Sequence, residues 1–73
     1  MTQTQRRELV ARSVLHALDR RNLTPAWLSE HAGIEHGDLL DRLAAVAAFD
    51  VDQLQAIALA LDIDFFSLLG SGG

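Results

Sequence analysis

Apolar side chains recur along this chain at intervals of three and four residues and nowhere alternate with polar ones, a pattern that predicts helices and no strands. Val10, Val14, Ala17 and Leu18 form one stripe, with Leu9 and Leu15 beside it, and predict an amphipathic helix over residues 5–21 whose arginines lie on its other side. Asn22 and Leu23 break it. Thr24-Pro25 then reads as an N-cap followed by a proline at the first helical position, where the missing N–H costs nothing. The second helix is short, residues 25–32, and Gly33 ends it in the left-handed conformation that glycine adopts freely. Glu35 or His36 opens a third helix through Leu39, Leu40 and Leu43. The alanine-rich residues 44–48 either lengthen that helix or cross to the next. Phe49-Asp50 supplies an apolar staple and an N-cap for a fourth helix over residues 51–61, which buries Leu54, Ile57, Ala58 and Leu61. Asp64 caps a last short turn of helix carrying Phe65, Leu68 and Leu69. Gly70-Ser71-Gly72-Gly73 reads as a flexible tail, so the expected division is a domain over 1–69 and a tail over 70–73.

Seventy-three residues make one domain with a thin core, burying about 60% of the surface that the unfolded chain exposes. Cysteine is absent, which excludes disulfides and thiolate metal sites. Hydrophobic residues at 49% and charged residues at 22% fit a folded globular protein and are too apolar for disorder. No apolar run approaches the roughly 20 residues of a membrane span, and Met-Thr-Gln-Thr-Gln-Arg-Arg lacks the apolar stretch of a signal peptide. A soluble cytoplasmic protein is expected. The net charge of −4 is distributed unevenly. Residues 1–21 carry five arginines against Glu8 and Asp19, whereas residues 22–73 carry Arg42 alone against eight carboxylates. Every cation is Arg. A basic end suits nucleic acid; the acidic remainder resists it.

Residues 24–34, from Thr24-Pro25-Ala26-Trp27-Leu28 through Ser29-Glu30-His31-Ala32 to Gly33-Ile34, resemble the first helix and turn of a helix-turn-helix. Gly33 allows the tight turn, Leu28 and Ile34 pack together to set the crossing, and small Ser29 and Ala32 let the helices approach. The stretch from Leu54-Gln55-Ala56-Ile57-Ala58 to Phe65-Phe66-Ser67-Leu68-Leu69 is similar to the end of the Cro and phage-repressor (lambda-type) family. With the first helix ahead of them, the two blocks extend the resemblance over residues 6–69. It implies an all-α, compact five-helix domain that binds operator DNA, commonly as a dimer, and regulates transcription.

In that family the third helix enters the major groove. The resemblance therefore makes Glu35, His36, Gly37, Asp38 and Asp41 the base-facing positions, and Arg6, Arg7, Arg20, Arg21 and Arg42 the phosphate contacts. None of the base-facing residues is Arg, Lys, Gln or Asn, the side chains that read guanine and adenine best, although Glu and Asp accept from cytosine N4. Their carboxylates oppose the phosphates unless arginines offset them. Pro25 and Ala26 lack the side-chain donor that the family often places at the start of the second helix. Arg42 occupies a position that the family fills with an apolar residue, and Leu43 takes that role after a slight rotation.

Other residues have ordinary readings. Trp27 packs partly on the core or contacts a partner. Phe65 and Phe66 are adjacent, so one of them is exposed or covered at a dimer seam. His16, His31 and His36 form no i, i+4 pair, so no metal and no cofactor are expected. A small helical domain offers no concave catalytic pocket, so no enzyme activity and no small-molecule substrate are expected. Two functions remain: a DNA-binding regulator acting as a homodimer, or a helix-turn-helix scaffold turned to protein binding, whose acidic third helix docks a basic protein partner or mimics DNA charge.

Overall fold

In the computed structural model, which describes residues 3–69, the chain folds as four α-helices and a closing 3₁₀ turn, with no strand among the described residues. The helices are α1 (Gln3–Arg20), α2 (Pro25–Ala32), α3 (His36–Leu43) and α4 (Val51–Leu61), and the 3₁₀ turn is Phe65–Leu69. The fifth helical segment is therefore a 3₁₀ turn rather than an α-helix: Asp64 Oδ1 accepts from the Phe66 N–H, and the Asp64 carbonyl accepts from the Ser67 N–H three residues on. The expected glycine-serine tail, residues 70–73, lies outside the described residues. No described helix is long and apolar enough to cross a membrane.

Local chemistry sets each boundary. Thr24 Oγ1 accepts from the Trp27 N–H at 3.1 Å ahead of Pro25 at the first helical position. Asp50 opens α4 with a reciprocal capping box: its carboxylate accepts from the Gln53 N–H at 2.7 Å, and the Gln53 side chain accepts from the Asp50 N–H at 3.1 Å. Phe49 packs on the core just ahead of it, as a staple does. Glu35 caps α3 with no side-chain hydrogen bond.

The four helix ends share one device. Asn22, Gly33, Ala45 and Asp62 all have φ between 55° and 69°, and beyond each the next N–H reaches back five residues: Leu23 to Leu18, Ile34 to Ser29, Val46 to Asp41 and Ile63 to Ala58. Residues 44–48 accordingly cross to α4 and do not lengthen α3. Ala45 does this without the glycine that the left-handed region favours, and a Cβ costs about 1 kcal/mol there. Ala45→Gly is expected to raise stability by about that amount, and Gly33→Ala to lower it by about the same, although a Cβ at Gly33 meets nothing within 4 Å. Urea melts of the two variants check this; a destabilised Ala45→Gly variant would refute the strain.

The core draws on every element: Val10, Val14, Ala17 and Leu18 of α1, Leu28 of α2, Ile34 of the turn, Leu39 and Leu43 of α3, four residues of α4, and Leu68. Val14, Leu28, Leu39, Ile57 and Leu68 are fully buried, each large side chain contributing about 1.5–3 kcal/mol by leaving water. The α1 helix packs against α3 and the 3₁₀ turn, while α2 packs against α4 and α3. Leu15, expected beside the buried stripe, is 43% exposed, and the small Ala11 is buried instead.

Candidate recognition face

Leu39 and Leu43 seat α3 in the core, which turns the rest of the helix outward. Glu35, His36, Gly37, Asp38 and Asp41 are all exposed, but the five positions expected to face bases do not form one face. Gly37, Asp38 and Asp41 lie on the side away from Leu39 and Leu43, Glu35 precedes the helix and lines a cleft with Asp38, and His36 lies in register with Leu39 and Leu43 and borders a depression on α2. Leu40, 44% exposed, stands among them. At Gly37 a Cβ would meet only Glu35 Oε1, at an ordinary 3.7 Å, so packing does not demand glycine in this first turn.

Arg42 lies along the flank of α3. Its side chain is only 19% exposed, its Nη1 sits 3.1 Å from Asp38 Oδ1, and the same nitrogen donates to the Asp38 carbonyl at 3.4 Å. Its Nε is buried without a hydrogen-bond partner among the described residues. The long stem and Nε thus pack where an apolar residue was expected while Nη1 reaches the exposed Asp38, and Leu43 carries the core contact.

The acidic character of this face extends beyond α3. Glu35, Asp38, Asp50 and Asp52 line one cleft between the α2–α3 turn and the start of α4. Sequence reasoning missed Asp50 and Asp52 here: their place as capping and first-turn residues was legible, but their approach to α3 depends on how α4 packs against α2. No group of three or more His, Asp or Glu side chains among the described residues is arranged to hold a metal ion.

The expected phosphate contacts divide between two regions. Arg7 is half-buried and its Nη1 donates to the Val46 carbonyl at 3.4 Å, which places it against the loop that follows α3. Arg6 is exposed one residue before it, and Arg42 is on α3 itself. Arg20 and Arg21 instead line a groove beside the 3₁₀ turn, together with Arg12. The expected partner surface divides as well. Trp27 is half-buried against the core and stacks on His31, with ring centroids 4.0 Å apart; it shares a shallow depression with His36 and so adjoins the start of α3. Phe65 packs on the core, while Phe66 is 66% exposed and meets Phe65 edge-on.

Comparison of the chain with family models, with curated proteins and with solved structures finds no match in any of the three, so the chain's own residues carry the assignment of function.

Proposed function

We propose that this chain is a helix-turn-helix regulator of the Cro and phage-repressor type, which docks α3 on operator DNA as a dimer and regulates transcription. One observation carries the reading: Gly37, Asp38 and Asp41 project from the side of α3 away from Leu39 and Leu43, which are locked in the core, and Glu35 and His36 stand exposed at its start. The short turn between α2 and α3, with Gly33 in the left-handed region, supports the motif. Carboxylates on the face accept from cytosine N4, while Gly37 leaves the first turn open to close approach of a groove wall. Arg6, Arg7 and Arg42 supply phosphate contacts from beside α3. Exposed Phe66 offers an apolar contact of the kind a dimer seam covers. A symmetric pair then reads half-sites about 34 Å apart.

The convergence of Glu35, Asp38, Asp50 and Asp52 favours a second reading, in which the same face docks a basic protein surface in place of the groove. Selection of duplexes from a random pool separates the two. The DNA reading predicts a recovered sequence containing C·G pairs. It also predicts a log–log salt slope of only about −2 to −3, as expected when about three cations release counterions. A slope near zero with no sequence recovered would reject DNA binding and leave the protein-docking reading.

A further inference from the structure

Arg12, His16 and Arg20 follow one another at four-residue spacing along α1, so they stand in a row, one turn above the next. The row borders a groove of about 760 Å³ between α1 and the 3₁₀ turn, whose apolar lining includes Leu9, Ile63 and Leu68. Arg21 borders the same groove, its Nη1 donating to the Ala17 carbonyl at 3.2 Å. Among the described residues the Arg12 and Arg20 side chains have no ion-pair or hydrogen-bond partner, whereas Arg42 is paired with Asp38 and Arg7 donates to the Val46 carbonyl. In a chain with ten carboxylates and six arginines, two unpaired guanidinium groups beside one apolar groove are an uneven use of scarce cations.

We propose that this groove docks an acidic amphipathic helix of a partner protein, at a site separate from α3. Arg12 and Arg20 are eight residues apart, about 12 Å along the helix axis. Two carboxylates seven or eight residues apart on a docked helix match that span, and apolar side chains between them settle on the half-buried Leu9 and Ile63. The apolar lining favours a peptide over a nucleic-acid backbone, which has nothing to place there. The proposal does not depend on what α3 binds, because Arg7, on the part of α1 beside the α3–α4 loop, is not among the groove residues.

Fluorescence anisotropy with a labelled synthetic helical peptide tests the groove. The peptide carries two Glu eight residues apart with Leu between them; its Gln and Lys counterparts and a random duplex serve as comparisons. The Glu peptide is expected to bind about two- to thirtyfold more tightly than the Gln peptide at low salt, the scale of two exposed charge pairs. The Arg12→Glu/Arg20→Glu variant, altered only at exposed positions and checked for folding by circular dichroism, should lose the Glu peptide and gain the Lys peptide. Equal binding of the Glu and Gln peptides, or an unchanged preference in the charge-reversed variant, would overturn the proposal. So would loss of duplex binding in that variant without peptide binding in the parent, which would make the groove a phosphate site. Self-association that requires Arg12 and Arg20 would likewise overturn it in favour of a second copy as occupant.

Discussion

Replacing Leu39 by alanine is expected to cost the domain about 3 kcal/mol, the middle of the range for emptying a fully buried leucine site. Leu39 is at 0% exposure, in contact with a core to which every element contributes. The remaining cavity has few ways to collapse, because α3 is only eight residues long and is held at both ends by backbone hydrogen bonds. A chain of this length has a total stability of about 4–11 kcal/mol, so the substitution is expected to remove about a quarter to three quarters of it. Leu40→Ala is the matched control. That side chain is 44% exposed, and its loss should change stability by less than about 1 kcal/mol. Chemical denaturation of the pair therefore reports which side of α3 faces the core. A larger loss at Leu40 than at Leu39 would mean that α3 is turned the other way and that the candidate recognition face is buried.

Removing the charge from that face should have the second large effect. In the Glu35→Gln/Asp38→Asn/Asp41→Asn variant, affinity for random duplex is expected to rise about 100-fold. Each carboxylate held against a phosphate opposes binding by about 1 kcal/mol in a water-like dielectric, and about 3 kcal/mol corresponds to a factor of about 100. Asp38→Asn adds to this by releasing the Arg42 guanidinium from its ion pair. Sequence preference should move at the same time, since Asn and Gln read adenine while the carboxylates they replace accept from cytosine. Anisotropy on random and selected duplexes checks both parts. Unchanged duplex affinity, accompanied by loss of a basic protein partner, would identify the face as a protein-docking surface.

The helices were legible because their signals are local. Thr24-Pro25 and Phe49-Asp50 announce two starts through atoms within three residues, and the structure forms both caps. Gly33 announces one end. Ala45 announces nothing: its positive φ is imposed by the hydrogen bonds that close α3 and by the path to α4, and no property of alanine reveals that. The outward side of α3, with Gly37, Asp38 and Asp41, could be read from the four-residue spacing of Leu39 and Leu43. The extension of that acidic face to Asp50 and Asp52 could not, because it depends on how α4 seats against α2. The arginines show the same limit. Composition marked residues 1–21 as basic, but the partition of Arg7 toward Val46 and of Arg12, Arg20 and Arg21 toward the 3₁₀ turn arises only when α1 packs between its neighbours. Arg42 was expected to be displaced from the core by Leu43; the structure adds its pairing with Asp38, a contact one helical turn long.

The central claim is that the outward side of α3 is the surface that meets duplex DNA. Titrating ¹⁵N-labelled protein with a selected duplex and following backbone amide shifts tests it directly. The account predicts the largest changes at residues 35–42, with smaller ones at Arg6 and Arg7 and little change at Ile63 or Ser67. Shifts confined to the groove beside the 3₁₀ turn, with residues 35–42 unmoved at saturation, would contradict it.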